Sequence, residues 1–242
     1  MSATNSTQWR RALIKLSGEA LMGGLSHGLD PETLHRIAAD VAGAATTGVE
    51  IAVVVGGGNF FRGIQGADKG IERARGDSIG MLATVMNGLA LEHAIEQVGQ
   101  AARCLSAIPM PSICQPFSRQ AALHHLNKGR VVILSGGTGN PFFTTDTGAA
   151  LRAAELSADV ILKATQVDGV YTADPKKDPN ARRYERLTHD EAIEKRLAVM
   201  DTAAFALARE NRIPIIVFSL AGADSIQAAL AGRGRSTLVT PA

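Results

Sequence analysis

The stretch Ile51-Ala52-Val53-Val54-Val55-Gly56-Gly57-Gly58-Asn59 predicts the fold of this chain, because an unbroken apolar run passes directly into three glycines. An apolar run of this length is typical of a strand that is buried on both faces of a parallel sheet. Glycines at the end of such a strand leave backbone N–H groups open to close approach by an anion. The stretch therefore indicates an α/β protein with an anion site at a strand end.

Two further apolar runs end in the same way. Ala12-Leu13-Ile14 leads into Lys15-Leu16-Ser17-Gly18, and Val131-Val132-Ile133-Leu134 leads into Gly136-Gly137-Thr138-Gly139-Asn140. One glycine loop can simply permit a tight turn, whereas three loops with a lysine in the first predict a ligand that carries several phosphates. The P-loop and Rossmann glycine patterns are both absent, so the chain does not resemble P-loop enzymes or NAD-dependent oxidoreductases.

Strand and helix patterns alternate along almost the whole chain. A glycine-rich, charged stretch from Gly63 to Gly76 is expected to be a mobile loop or a short helix, and a proline-marked loop is expected at 109–116. Further strands are expected at 103–107, 160–162, 215–218 and 237–239. Helices are expected from Asp30-Pro31 to Gly48, from about Asp77, at 118–127, at about 146–157, from Thr188 with capping-box spacing, at about 201–210 and at 224–231.

Strands separated by helices predict a three-layer α/β/α sandwich with a mostly parallel central sheet. A ligand should then bind at the carboxyl ends of the strands. No repeat or linker-like segment divides the 242 residues, so a single domain over 1–242 is expected, with residues 1–10 as a flexible tail.

The composition excludes several classes of protein. Net charge is +2 and no block of lysine and arginine occurs, which argues against nucleic-acid binding. No apolar run approaches the roughly 20 residues of a membrane helix, and residues 1–8 lack the apolar core of a signal peptide. Cys104 and Cys114 have no second pair, so two reduced thiols and a cytoplasmic location are expected.

Lys15 and Lys163 are the strongest candidates for chemistry. Each follows a short apolar run at the predicted carboxyl end of a strand. Either one alone could be a solvated residue at the sheet edge, but two of them would converge on one cleft. Phosphoryl transfer needs mainly positioning and positive charge on the transferred group, and two lysines with Mg²⁺ supply both.

Two further features favour a phosphate ligand. Arg62, shortly after the second glycine loop, could pair with a phosphate as a forked donor. Thr144 and Thr145 precede a predicted helix at Asp146, where N–H groups and the helix dipole favour anions. Simple capping of that helix is the alternative role of the two threonines.

Five segments carry a family resemblance: Lys15 to Leu21, Gly56 to Asn59 with Phe61-Arg62-Gly63, Asp77 with Gly80 to Gly88, Gly139 to Asp146, and Lys163-Ala164-Thr165 through Asp174-Pro175. Together they resemble the bacterial uridylate (UMP) kinases, a family within the amino acid kinase fold. The resemblance runs from about Arg11 to Val239. The stretches 137–146 and 81–90 are specific to that family, whereas Lys-x-Ser-Gly and Gly-Gly-Gly-Asn are shared more widely.

The resemblance implies an ATP:UMP phosphotransferase that uses Mg²⁺ in de novo pyrimidine nucleotide (CTP) biosynthesis. The N-terminal half would mainly bind UMP and form oligomer contacts, and the C-terminal half would mainly bind ATP. Implied ATP contacts are Lys15, Leu16, Ser17, Gly18, Gly58, Arg62, Thr165, Tyr171 and Asp174. Implied UMP contacts are Gly57, Asp77, Thr138, Gly139, Asn140, Pro141, Phe142, Phe143, Thr144 and Thr145.

The resemblance also implies roles in catalysis. Lys15 and Lys163 would act at the transferring phosphoryl group beside Arg62. Asp146 and Asp201 would orient the lysines or the metal, although Asp201 could equally be a helix N-cap before Thr202. No residue is assigned as a direct metal ligand.

Family members are typically homohexamers that GTP activates and UTP inhibits. Arg103 and Arg130 match basic positions associated with the GTP site, but both could also be solvated flanks of strands. Glu96 stands where a further donor would be aligned, and an acidic group there should disfavour a triphosphate. The resemblance thus implies effector control and leaves its strength open.

Two alternatives remain at this point. Another enzyme of the same fold could act on a carboxylate or carbamate acceptor, and Asp77 with the 138–145 stretch argues against it. A non-catalytic nucleotide sensor or anion-storage protein could use the same fold. The joint presence of Lys15, Lys163, Asp77 and Thr145 argues against that second reading.

Overall fold

The computed structural model describes residues 9–61, 70–197 and 199–241. Its strands are β1 (Arg11–Leu16), β2 (Glu50–Val55), β3 (Ala102–Ser106), β4 (Gln115–Pro116), β5 (Val131–Ser135), β6 (Val160–Thr165), β7 (Arg186–Thr188), β8 (Ile215–Ser219) and β9 (Ser236–Thr240). Its α-helices are α1 (Pro31–Ala45), α2 (Arg73–Gln97), α3 (Arg119–Asn127), α4 (Thr145–Leu156), α5 (His189–Glu194), α6 (Thr202–Glu210) and α7 (Ser225–Leu230). A short 3₁₀ helix spans Gly18–Leu21.

All of these strands form one sheet, in the spatial order β4-β3-β5-β2-β1-β6-β8-β9-β7. Neighbouring strands are parallel except β8 and β9, which are antiparallel. The predicted mostly parallel sheet is therefore confirmed. β1 lies between β2 and β6, so their carboxyl ends meet at one edge of the sheet, and Lys15 pairs in register with Lys163.

Helices cover both faces of the sheet, as predicted. Ala12, Ile14 and Leu16 of β1 lie on the face covered by α1, α2 and α7, whereas Leu13 lies on the face covered by α3 to α6. Side chains alternate between faces along a strand, so Lys15 follows Leu13 onto the second face. Lys163 follows Ile161 to the same face, and both lysines are thus directed toward α4.

Helix α2 begins earlier than the sequence predicts. The helix starts at Arg73 rather than near Asp77, so the loop expected up to Gly76 ends sooner than predicted. The first part of that expected loop, up to residue 69, lies outside the described residues. Asp77 does not cap the helix. Its carboxylate lies in the second turn and accepts hydrogen bonds from the Arg73 side chain at 2.9 Å and from the Phe142 N–H at 2.8 Å.

Other differences lie at the edges of the sheet. The proline-marked loop contains the short edge strand β4, where Pro116 is tolerated because an edge position needs no ladder donor. The sequence does not indicate β7, which precedes α5 and pairs with β9. The predicted capping box at Thr188 is present, since its side chain accepts the Glu191 N–H and the Glu191 side chain accepts the Thr188 N–H.

Both ends of the chain extend past the described residues. Residues 1–8, most of the expected flexible tail, lie outside them. Trp9 packs against the core, and the Arg10 N–H donates to the Asp159 carboxylate at 2.7 Å. No helix among the described ranges is long and apolar enough to cross a bilayer.

The packing around Gly88 of α2 leaves no room for a side chain. A Cβ at Gly88 would lie 2.1 Å from the Ser135 Oγ and 2.9 Å from the Cys104 Sγ, whereas one at Gly80 in the same helix would meet nothing within 4 Å. We expect Gly88→Ala to lower the free energy of unfolding by about 1–3 kcal/mol through overpacking. Gly80→Ala should raise it by up to about 1 kcal/mol through helix propensity.

Urea unfolding of the two variants beside the parent protein measures both changes. Equal effects of the two substitutions would show that α2 does not pack closely on β3 and β5 at this point.

Candidate functional site

The Asp146 carboxylate lies between the ammonium groups of two lysines. Lys163 Nζ donates a hydrogen bond to Oδ2 at 2.6 Å, and Lys15 Nζ forms an ion pair with Oδ1 at 2.8 Å. Lys15 and Lys163 are only 8% and 6% exposed. The structure thus brings together three of the predicted catalytic residues at the carboxyl ends of β1 and β6.

The charges in this cluster are strongly coupled. Burial alone would raise the pKa of Asp146, but the nearby charges of Lys15 and Lys163 outweigh it, and the pKa falls below its usual value. Burial and the charge of Lys15 lower the pKa of Lys163 to about 8, despite the opposing charge of Asp146. Two buried positive charges therefore share one negative charge, which leaves a net attraction for an anion.

The first turn of α4 carries Asp146 and is fixed at its start. Thr144 is the N-cap, and its side chain accepts hydrogen bonds from the Asp146 and Thr147 N–H groups. Thr145 is the first helical residue and lies beside Gly56 of the second glycine loop. Thr144 therefore has the capping role that the sequence left open as the alternative.

Asp201 occupies the alternative role that its sequence position allowed. It is the N-cap of α6, where its carboxylate accepts the Ala204 N–H at 2.8 Å. The same carboxylate accepts hydrogen bonds from the hydroxyls of Thr144 and Thr147. Asp201 therefore ties α6 to the first turn of α4.

Lys15, in the first loop, lines a cavity of about 550 Å³. Lys15, Ser17, Lys163 and Thr165 line it, together with residues of α1 and of the segment after β8. Leu16, a further predicted ATP contact, is fully buried and does not line this cavity. An added Cβ at Gly18 would lie 2.7 Å from the Gly56 carbonyl oxygen, which shows how closely the first two loops approach.

A second, smaller cavity of about 190 Å³ lies on the other side of the second glycine loop. Gly57 and Gly58 form part of its wall. An added Cβ at Gly58 would meet Glu19, which lines the larger cavity, so this loop separates the two spaces. The remaining lining residues are Phe61, Asp77, Gly80, Met81, Thr84, Gly137, Thr138, Asn140, Phe143, Thr144 and Thr145.

Most of the residues predicted for an acceptor therefore lie around the smaller cavity. Gly139, Pro141 and Phe142 do not line it. Phe142 has a left-handed backbone with φ of 73° and a side chain that is 64% exposed, with the Arg73 guanidinium 5.9 Å from its ring. The tip of the third loop is thus held at its backbone by Asp77 while its aromatic ring faces outward.

A third cavity, of about 560 Å³, meets the first at Thr165. Tyr171 and Asp174 line it, opposite a wall that includes Lys195 and Leu197. The Tyr171 hydroxyl donates to the Asp168 carboxylate, which also pairs with Arg235 at 2.8 Å. The predicted nucleoside contacts Thr165, Tyr171 and Asp174 are therefore neighbours around one space.

Of the remaining predicted residues, Arg103 and Arg130 do not line these three cavities. Arg62 lies outside the described residues. Arg103 forms an ion pair with Glu92 at 3.3 Å, and an Arg130 guanidinium nitrogen lies 3.0 Å from Nδ1 of His125. The charges of both arginines act on His125, so the two arginines lie near the same histidine.

Sequence reasoning overlooked three residues that hold the loops in place. Asn59 and Asn87 exchange hydrogen bonds in the interior, and the Thr84 hydroxyl accepts the Gly136 N–H at 2.7 Å. The signal was available in part, because Asn59 belongs to the Gly-Gly-Gly-Asn motif and Asn87 precedes Gly88. Their pairing across two elements could not be read from the chain.

Comparisons with known proteins agree with this architecture. The model of the amino acid kinase family matches residues 10–219. Uridylate kinase of Azorhizobium caulinodans is 61% identical over 231 residues, which are 96% of this chain and 97% of that protein. Uridylate kinase of Nitrobacter hamburgensis is 59% identical with the same coverage. The crystal structure of UMP kinase from Bacillus anthracis superposes with a TM-score of 0.92 at 36% identity, covering 96% of each chain.

Removal of the central carboxylate should expose the repulsion between the lysines. We expect Asp146→Asn to lower the free energy of unfolding at pH 7 by about 3 kcal/mol, because it leaves buried ammonium groups without their counterion. The folded pKa of Lys163, about 8, lies below that of an unfolded lysine. The penalty should therefore shrink as pH rises through about 8, where the folded protein has released the Lys163 proton.

Urea unfolding at pH 7 and pH 9.5 measures this change. Asp190→Asn is a matched control, since it breaks the exposed ion pair with Arg209 and should change stability much less. A penalty for Asp146→Asn that is small, or equal at both pH values, would contradict the electrostatic account.

Proposed function

The chain belongs to the amino acid kinase family, and we infer that within it the protein is a uridylate kinase, which transfers the γ-phosphoryl group of ATP to UMP and forms UDP and ADP. Relatives with this name match nearly the full length of the chain. The UMP kinase structure from Bacillus anthracis shares the fold of this chain. The comparisons give no support to a sensor or storage role.

The observation that carries the proposal is the lysine pair in the larger cavity, which Asp146 links to the wall of the smaller one. Lys15 and Lys163 line the larger cavity, and Asp146, which binds both, follows Thr145 at the wall of the smaller one. An ATP triphosphate in the larger cavity and a UMP phosphate in the smaller one would meet beside these lysines. This geometry is what transfer between two bound nucleotides requires.

The chemistry follows from the charge of the acceptor. A phosphate monoester has a second pKa near about 6, so UMP is largely a dianion at neutral pH. Its oxygen is already a nucleophile, and no general base is needed. The main barrier is repulsion between two anions, which Lys15, Lys163 and backbone N–H groups of the glycine loops would lower. Asp146 would keep both ammonium groups at the point of transfer.

UMP would bind with its phosphate at Thr145 and the N-terminal turn of α4, where N–H groups favour an anion. The Asp77 carboxylate, which now accepts the Phe142 N–H, would accept a ribose hydroxyl. Thr138 and Asn140 also line this cavity and would contact the nucleoside. In this proposal UMP binds in the smaller cavity and ATP does not.

ATP would bind across the larger cavity and the third one. Its phosphates would contact Ser17, Gly18 and the two lysines, and its nucleoside would extend past Thr165 to Tyr171 and Asp174. Arg62, from the segment after the second glycine loop, is proposed as a further phosphate ligand. Thr165 lines both cavities, which supports this path.

Mg²⁺ would enter with ATP. No group of three or more His, Cys, Asp or Glu side chains that could hold a metal occurs in the described parts of the chain. Mg²⁺ needs no such group, since it is commonly bound by substrate phosphates with one or two carboxylates. Asp146 is the carboxylate nearest the lysines that fits this role, and the ion would supply further positive charge to the triphosphate.

We also propose that the protein assembles as a homohexamer and is regulated by nucleotides. Ile79, Leu82 and Met86 are 40%, 47% and 52% exposed at helical spacing on α2, an apolar stripe that would suit a second copy in a homohexamer. GTP is proposed as an activator and UTP as an inhibitor. The pairing of Arg103 with Glu92, together with the exposed Glu96, predicts that activation by GTP is weak.

The proposed setting is de novo pyrimidine nucleotide biosynthesis in the cytoplasm. A coupled assay of ADP release with ATP, Mg²⁺ and UMP, beside CMP, dTMP, acetylglutamate and aspartate, tests the reaction. Turnover with UMP alone is expected. Turnover with a carboxylate acceptor, or none with any acceptor, would refute the assignment.

Lys15 should matter more for turnover than for acceptor binding. We expect Lys15→Ala to lower kcat by at least about 100-fold, because the ammonium group stabilises charge on the transferring phosphoryl group. The dissociation constant of UMP should change by less than about threefold, since Lys15 does not line the smaller cavity. Steady-state kinetics and calorimetric titration of UMP measure the two quantities, and unchanged turnover would exclude this role.

The pH profile should report the protonation of Lys163. Because the pKa of Lys163 in the folded protein is about 8, the positive charge that attracts ATP is lost as pH rises above that value. We expect kcat/KM for ATP to fall above about pH 8 in the parent enzyme. The Lys163→Arg variant, which stays charged, should not show that fall, whatever its absolute rate.

Lys128→Arg is the control, since Lys128 is exposed between α3 and β5, at the amino ends of the strands, and should leave the profile unchanged. An identical fall in the Lys163→Arg variant would assign the titration to another group.

A further inference from the structure

Asn59 and Asn87 form a closed amide pair beneath the glycine loops. Asn59 Nδ2 donates to Asn87 Oδ1 at 2.9 Å, and Asn87 Nδ2 donates to Asn59 Oδ1 at 2.7 Å. The two residues are 2% and 0% exposed. Neither residue lines any of the three cavities described above, so neither is positioned to touch a nucleotide.

The second donor of each amide reaches a different backbone segment. Asn87 Nδ2 also donates to the Gly56 carbonyl at 2.7 Å, and Asn59 Nδ2 also donates to the Gly28 carbonyl at 2.9 Å. The Gly28 N–H in turn donates to the Asn59 carbonyl at 2.9 Å. The pair therefore connects α2, the second glycine loop and the segment that follows the first loop.

The same pair limits how far the first two loops can move. A Cβ at Gly18 would lie 2.5 Å from the Asn59 Oδ1, so the backbone of the first loop rests against this side chain. Gly57 is packed as closely against α2, since its Cβ would lie 2.6 Å from the Gly80 carbonyl oxygen. The separation between the loop beside Lys15 and the loop that divides the cavities is thus set by the amide pair.

Only an amide satisfies this arrangement at both positions. Each side chain uses both N–H donors and accepts one hydrogen bond on its oxygen. A carboxylate has no donor, a hydroxyl has one, and an apolar side chain has neither donor nor acceptor. Any replacement leaves buried carbonyl groups without partners, which the surrounding loops must then relieve by moving.

We propose that Asn59 and Asn87 are positioning residues for phosphoryl transfer, which fix the distance between the loop that holds the donor phosphates and the loop that faces the acceptor. The proposal rests on the uridylate kinase function. Each nucleotide touches only one side of the divided site, so a shift of the loops should disturb their mutual alignment more than the binding of either one. Misplacement of reacting groups by about 1 Å can lower a rate about 100-fold.

The test is the Asn87→Asp variant, assayed for kcat with ATP, Mg²⁺ and UMP and corrected for the folded fraction. We expect kcat to fall about 10- to 100-fold, while the dissociation constants of UMP alone and of the ATP analogue AMP-PNP alone change by less than about threefold. The matched control is Asn211→Asp, because the Asn211 amide also donates to a backbone carbonyl, that of Leu207, but on the exposed end of α6.

A role in folding alone would give a different result. Stability would then fall, but kcat per folded molecule would stay within about twofold of the parent enzyme, and that outcome overturns the proposal. A loss of kcat matched by an equal loss in nucleotide affinity overturns it as well. If Asn87→Asp does not fold, Asn87→Ser and Asn59→Ser, which each keep one donor, carry the same comparison.

The pH dependence supplies a readout that a structural defect would not give. The buried carboxyl group that Asn87→Asp introduces regains a donor for the Gly56 carbonyl when it takes up a proton. The ratio of variant to parent kcat should therefore rise as pH falls from about 8 to about 6. A ratio that stays constant or decreases counts against the proposal. Absence of UMP turnover in the parent enzyme would instead refute the proposed function, so the two failures are distinguishable.

Discussion

The bridge from Asp146 to Lys15 and Lys163 is the interaction on which the rest of the site depends. Two buried ammonium groups on neighbouring strands repel each other, and the pairing in register of Lys15 with Lys163 forces them together. The carboxylate makes this arrangement tolerable, and it must come from a helix that begins above both strand ends. The capping of α4 by Thr144, and the bond from Thr144 to Asp201, hold that helix start in place. Burial of these charges lowers stability relative to an apolar core, so the cluster is explained better by function than by folding.

Helix α2 joins the reaction site to the outer surface of the molecule. One side of the helix holds the second and third glycine loops, through Asn87 and Gly56 and through Thr84 and Gly136. The other side carries the apolar stripe of Ile79, Leu82 and Met86. In the proposed homohexamer, α2 would contact both the loops and a neighbouring copy, so a change at that contact would alter the spacing of the phosphate loops.

Sequence reasoning reached the parts of the structure that local patterns determine. Apolar runs that end in glycines predicted the parallel strands, and lysines at the ends of those runs predicted a shared cleft. Both predictions were possible because side-chain alternation and strand polarity follow from spacing alone. The bridge through Asp146 depends on which strands become neighbours, and the Asn59–Asn87 pair depends on how α2 docks, so neither follows from local pattern. Helix α2 begins about one turn before the predicted start near Asp77, and the Asp77 carboxylate binds Arg73 and Phe142. Edge strands β4 and β7 are too short to show a period.

A crystal structure with a non-hydrolysable ATP analogue, Mg²⁺ and UMP tests the central claim most directly. The account predicts that the UMP phosphate binds in the smaller cavity at Thr145 and that the terminal phosphate of the analogue lies in line with it. Lys15 and Lys163 should both contact that terminal phosphate while Asp146 remains beside them. If the nucleotides bind elsewhere, or if the lysines contact only Asp146 and no phosphate, the lysine pair is a structural ion cluster and the account is wrong.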